Sequence, residues 1–345
     1  MDTITDLKTQ WDALKKEQPH LRIRNAAQVL GVSEMALLAT KIGNGVTRLK
    51  PEMKEILSEI ESLGKVMALT RNEECVHERK GVYLNGDFSN AHAGLFVGED
   101  IDLRIFLMHW KKAFAVIEEN ARGISKSLQF FGKDGEAIHK IFLTPDSIEA
   151  AFETLVTKYT DENQDPIETT EAYQINLDEK PDDEIDTKGF QQAWLDLKDT
   201  HNFFTMLRTF GVTRTQALRL APSAYHAQQI SKDAIVTMLE EAVKTKTPIM
   251  VFTGNRGNIQ IHTGRIRKTM WHQDWYNIMD PDFNMHLDMS KIAQTWVVRK
   301  PTEDGIVTSI EVFNEMGDII VQFFGKRKPG IPELEEWQQI IEKLN

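Results

Sequence analysis

Apolar residues recur every three to four positions through Ile4–Lys16 and again through Glu52–Leu63, a spacing that predicts two amphipathic helices early in the chain. Short apolar and β-branched runs follow at Val66–Thr70, Val82–Leu84, Gly94–Val97, Leu103–Leu107, Ala113–Ile117, Ser127–Phe131 and Ile138–Leu143, and predict strands. Gly132-Lys-Asp-Gly135 lies between the last two as a hairpin turn, and Asn314-Glu-Met-Gly317 holds the same place late in the chain. Helical spacing returns at Ser147–Tyr159 and at Pro332–Leu344. Helices, then strands joined by tight turns, then a closing helix, indicate an α+β fold in which each half is a mainly antiparallel sheet flanked by helices.

The pattern is written twice. Ser127-Leu-Gln-Phe-Phe-Gly-Lys-Asp-Gly-Glu-Ala-Ile-His-Lys-Ile-Phe142 returns as Ser309-Ile-Glu-Val-Phe-Asn-Glu-Met-Gly-Asp-Ile-Ile-Val-Gln-Phe-Phe324, with Phe131/Phe313, Gly135/Gly317, Ile138/Ile320 and Phe142/Phe324 in step. Upstream, Trp11-Asp-Ala-Leu-Lys-Lys16 answers Trp194-Leu-Asp-Leu-Lys-Asp199, and Leu30-Gly-Val-Ser33 answers Phe210-Gly-Val-Thr213. Leu69-Thr-Arg-Asn72 answers Phe252-Thr-Gly-Asn255. So long a period is a tandem domain duplication and not a solenoid. The expected organisation is an N-terminal repeat over 1–160, a linker over 161–188 and a C-terminal repeat over 189–345.

The net charge of −11 is concentrated in that linker, where 11 carboxylates between Asp161 and Asp186 face the single cation Lys180. The stretch is expected to be solvated, and the two repeats are together close to neutral. The start of the chain has no basic and apolar signal pattern, no apolar run approaches the roughly 18–20 residues that span a bilayer, and Cys75 is the lone cysteine. The expected location is the cytoplasm, without membrane insertion.

Few residues carry obvious chemistry. His201 lies among Phe203, Phe204, Met206, Leu207 and Phe210. A neutral imidazole beside apolar walls suits a haem iron, whereas the ordinary reading is a partly buried histidine capped by Asp199 or Thr200 at a helix start. In Asp102-Leu-Arg-Ile-Phe-Leu107 alternation puts Leu103, Ile105 and Leu107 on one face and Arg104 with Phe106 on the other. Arg104 there is either a solvated surface residue or a group that orients water or an anion. Basic clusters at Arg265/Arg267/Lys268, Arg299/Lys300 and Lys326/Arg327/Lys328 read as solvated turns or as carboxylate holders. The remaining histidines lack zinc-site spacing. Arg24–Leu38 has the outline of a helix-turn-helix, but it offers no basic base-reading residue before Lys41, and its echo after Phe210 makes it a structural corner. No nucleic-acid partner is expected, and Gly254-Asn-Arg-Gly257 is too short for a dinucleotide fingerprint.

Several blocks, in order along nearly the whole chain, carry a family resemblance: Thr70-Arg-Asn-Glu with Val76-His-Glu78, His92-Ala-Gly-Leu95, Asp102–Leu107, Ser127–Phe131, Asp199-Thr-His-Asn-Phe-Phe204, Val251-Phe-Thr-Gly-Asn-Arg-Gly257 and Arg299-Lys-Pro-Thr-Glu-Asp-Gly305. The chain resembles the HemS/ChuS/HmuS/PhuS group of cytoplasmic bacterial haem-utilisation proteins. The resemblance implies haem as cofactor, with His201 as the proximal iron ligand and Arg104 as the distal, catalytic arginine. It places Arg214 and Lys300 near the propionates and makes Phe106 and Phe252 pocket residues. Phe324 stands where relatives carry tyrosine, removing a hydroxyl hydrogen bond worth about 1 kcal/mol, and Arg327 is the candidate to compensate. His77, on a strand-like stretch, reads first as a satisfied structural histidine and is a minor alternative ligand. The implied activity is haem degradation that releases iron, fed by an external electron donor; the alternative is a carrier between a membrane haem importer and a downstream acceptor.

Overall fold

The computed structural model describes residues 3–120, 123–174, 179–328 and 330–344. The chain forms two compact units: residues 1–71, 78–174 and 255–260 make the first, and residues 72–77, 175–254 and 261–345 make the second.

In unit 1 the strands Val46–Leu49, Lys112–Asn120, Gly123–Phe131, Ala137–Ser147 and Gly64–Arg71 lie side by side in that order, each pairing antiparallel with the next. Their alternating apolar residues pack with the helix Glu149–Tyr159 into a core that includes Leu63, Val66, Leu128, Phe130, Ile141, Phe152 and Leu155. A register shift at Phe130/Phe131 marks the hairpin that the Gly132–Gly135 turn closes. Unit 2 repeats the scheme: Ala227–Ile230, Gln294–Thr302, Gly305–Phe313, Ile319–Gly325 and Ile249–Gly254 pair antiparallel in the equivalent order. The helices Ala234–Thr245 and Glu335–Glu342 cover its core, and the duplicated α+β fold is as the sequence pattern predicts.

The helical corners also match. The helix Ile23–Leu30 ends at Gly31 (φ 67°) and the helix Asn202–Phe210 at Gly211 (φ 65°), a left-handed conformation that favours glycine. Ser33 and Thr213 then cap the next helices, accepting from the backbone N–H of Ala36 and Gln216 at 3.1 and 3.2 Å. The short helix Glu34–Ala39 buries Glu34, Met35, Leu37, Leu38 and Ala39, so its side chains serve packing.

Three expectations need correction. Val82–Leu84 is not a strand; the strand is Cys75–Gly81, whose Glu78-Arg-Lys80 run hides its apolar signal. Glu52–Leu63 is not one continuous helix, since the α-helix Met53–Ser58 tightens into a 3-10 turn over Ile60–Leu63. The acidic stretch is not solvated throughout. The Glu168 side chain is only 1% exposed, takes a 2.8 Å hydrogen bond from Arg48 Nε and pairs with Lys112 at 3.0 Å. Arg48 Nη1 also donates to the Asn163 carbonyl at 2.7 Å, which ties the stretch to unit 1.

The short inserted segments complete each unit. In unit 1, Asn255 Nδ2 donates to the carbonyls of Arg71 (2.9 Å) and Ile138 (2.8 Å). In unit 2, Asn72 Nδ2 donates to the equivalent carbonyls of Gly254 (3.1 Å) and Ile320 (2.7 Å). Among the described residues no helix is long and apolar enough to cross a membrane.

Candidate functional site

His201 precedes the first turn of the helix Asn202–Phe210, whose buried face is Phe203, Met206 and Leu207. Those positions follow the three-to-four spacing of a core-facing stripe, and His201 falls outside it. Its side chain is 90% exposed, and Phe204 beside it is 64% exposed. The partial burial of the ordinary reading is therefore not observed, whereas its Asp199 contact is: Asp199 accepts from the His201 backbone N–H at 2.9 Å and lies 2.7 Å from Nδ1. Those contacts, the backbone N–H first, hold the Asp199 carboxyl below its ordinary range. With the proton on Nδ1 the Nε2 lone pair is available, the arrangement metal-ligating histidines adopt when a carboxylate takes their other N–H.

A second group of unit 2 residues gathers behind Phe203. Arg214 donates from Nε to Glu311 Oε2 at 2.9 Å and from Nη2 to Oε1 at 2.7 Å. Lys300 Nζ donates to the same Oε1 at 2.7 Å, and Ser309 Oγ at 3.1 Å. Both cations also approach the Phe203 ring, at 4.7 Å for Arg214 and 4.5 Å for Lys300. Burial alone would raise the Glu311 carboxyl, but Arg214 and then Lys300 hold it well below the usual carboxylate range. Burial brings Lys300 down to about 8, partly opposed by Glu311. Lys300 is thus neither at a strand end nor solvated; it lies inside Gln294–Thr302, with its side chain 5% exposed.

Phe252 and Phe324 come together in unit 2, ring centroids 4.9 Å apart, on the adjacent strands Ile249–Gly254 and Ile319–Gly325. Arg327 Nη2 lies 3.8 Å from Asp304 Oδ2. A cavity of about 350 Å³ opens beside the helix after His201, lined in part by Asp196, Lys198, Asn202 and Thr205. In unit 1 the strand Asp102–Phe106 alternates as expected: Leu103 and Ile105 are buried, while Arg104 and Phe106 share the other face with Asp102. Arg104 pairs with Asp102 and donates to the Leu103 carbonyl at 3.1 Å. Burial is the main influence on Asp102 and raises its carboxyl, with Arg104 opposing. His77 is fully buried with its ring against Phe283 at 4.9 Å, a packing role. Sequence reasoning missed Glu311; the available signal was Gln129 at the equivalent place in the first copy.

The pattern of the family described as "Haemin-degrading HemS.ChuX domain" matches twice, over residues 31–159 and 211–344. The chain belongs to this family. It is 36% identical to the "Hemin transport protein HemS" of Yersinia enterocolitica over 97% of this chain and 96% of that protein. Among solved structures it is similar to holo-PhuS, described as a heme-binding protein from Pseudomonas aeruginosa, at 43% identity and TM-score 0.97, covering 99% of each chain. It is also similar to the Escherichia coli O157:H7 "heme degrading enzyme ChuS", at 34% identity and TM-score 0.92 over 99% of each chain.

Proposed function

We propose that this protein binds haem with His201 Nε2 as the axial ligand and degrades it to release iron in the cytoplasm. The observation that carries the reading is the exposed imidazole of His201, fixed at Nδ1 by Asp199, in a chain that belongs to a haemin-degrading family. The residues of unit 2 suit the group: a nitrogen donor, the aromatic pair Phe252 and Phe324, and the cations Arg214, Lys300 and Arg327 for carboxylates. Haem supplies the redox chemistry when bound, and an external donor supplies the electrons. In this reading Asp199 orients His201, Phe106 contributes apolar surface and Arg104 orients water or an anion for the reaction.

Titration of the apoprotein with hemin tests the binding step. A saturable one-to-one Soret band, lost or clearly shifted in His201→Ala, is the expected result; an unchanged spectrum in the variant assigns the ligand elsewhere. Degradation predicts a tetrapyrrole product with stoichiometric iron release that persists when catalase is present. Bleaching abolished by catalase is free-peroxide damage and leaves the carrier reading. That second reading has two supports: the name "Hemin transport protein" borne by a relative, and Phe324, which offers no hydroxyl. It predicts haem transfer to an acceptor faster than passive loss to an apo-globin. Arg104→Ala separates the two readings, since it is expected to lower iron release at least tenfold while hemin affinity changes little.

A further inference from the structure

Glu311 is fully buried, yet it is shared by two cations that the haem reading assigns to ligand carboxylates. The first copy of the fold has no such group. Ser309-Ile-Glu311 aligns with Ser127-Leu-Gln129, and Thr213-Arg214 aligns with Ser33-Glu34. The strand registers Val298↔Ser309 and Val116↔Ser127 set Lys300 against Glu118. All three charges of the cluster therefore belong to unit 2 alone, and the unit 1 counterparts Glu34 and Glu118 are paired elsewhere, with Lys140 and Lys41.

The geometry of Arg214 is specific. A guanidinium has five N–H donors. The Nε donor and one Nη2 donor are spent on Glu311, and among the described residues Nη1 has no partner. Arg214 is also the more accessible cation, 19% exposed against 5% for Lys300. Two cations and one carboxylate leave one net positive charge, enough for one carboxylate and not for two.

We infer that Glu311 is a positioning residue: it clamps the inner edge of Arg214 so that the Nη1 edge takes a single carboxylate of the ligand by hydrogen-bond geometry. This rests on the haem reading and names one propionate as what the cluster recognises. Lys300, which shares Glu311 Oε1, and the Phe203 ring, which both cations approach, support the clamp.

Soret titrations with hemin and with hemin dimethyl ester, which carries no free carboxylate, test it. The full-length wild type is expected to prefer hemin by roughly tenfold, the worth of one charge-assisted hydrogen bond. Glu311→Gln and Arg214→Lys are both expected to abolish that preference while the ester binds as before with an unchanged Soret maximum. Should Glu311→Gln fail to fold, Arg214→Lys, which keeps the charge and removes the fork, carries the test. A stronger preference for hemin in Glu311→Gln would show pooled charge at work and overturn the inference, as would an intact preference in Arg214→Lys or equal weakening toward both ligands. A wild type that binds both ligands equally tightly ends this inference and leaves the haem reading standing. A wild type with no saturable binding of either ends both.

Discussion

Asp199 accepts from the backbone N–H of His201 and lies 2.7 Å from Nδ1, a contact that favours the tautomer with the proton on Nδ1 and the lone pair on Nε2. Asp199→Ala frees the ring to rotate, and hemin affinity measured by Soret titration is expected to fall by about 10–100-fold. The loss should be smaller in Asp199→Asn, whose amide oxygen can still accept. A different histidine contributes acid sensitivity. His139 is buried in unit 1 between Thr70 Oγ1 (2.9 Å), Tyr83 Oη (2.6 Å) and Asn258 Nδ2 (3.1 Å), and burial pulls its pKa down to about 3. With the folded value depressed below the unfolded one, the unfolded chain binds the extra proton between about pH 6.5 and 3. Stability contributed by neutral His139 is complete above that window and is lost as pH falls through it, by about 2–3 kcal/mol between pH 6.5 and 4.5. Urea unfolding at the two pH values should show this loss, and His139→Gln should remove most of it. His201 and His139 look alike as letters in the chain. Helical phase exposes the first, and strand alternation buries the second.

At the scale of the element, the turns led by Asn72 and Asn255 do equivalent work. Asn255 donates to two carbonyls and accepts from the backbone N–H of Gly257 (2.9 Å) and Asn258 (3.2 Å). Asn72 likewise accepts from Glu74 (3.1 Å) and Cys75 (2.8 Å). Alanine at Asn255 strands four backbone groups at once, and a loss of about 2–4 kcal/mol in urea unfolding is expected. The same turn explains Gly257, where a Cβ would come within 2.5 Å of Ile138 and whose carbonyl accepts from Trp110 Nε1 at 2.8 Å. The matched asparagines were legible as an echo between the halves. Their role was not, because the carbonyls they hold are distant in sequence and all their partners are backbone groups, which leave no trace in side-chain patterning.

For the whole molecule, the duplication does not yield two units that are each continuous in sequence, since residues 255–260 belong to unit 1 and residues 72–77 to unit 2. A fragment of residues 1–174 lacks Asn255, Gly257 and Asn258 and is expected to show weak amide protection in hydrogen exchange; appending residues 255–260 through a flexible linker should restore part of it. The periodicity of apolar residues, the paired turn and capping signals and the internal echo were enough to read an α+β fold built twice, because those features depend on near neighbours in the chain. The ordered matching blocks were enough to point to the family. The Glu311 clamp on Arg214 and Lys300, the docking of Glu168 on Arg48 and the crossing of short segments into the opposite unit needed the folded chain. Each joins groups far apart in sequence, and their energies depend on burial and on angles between partners, which no local pattern encodes.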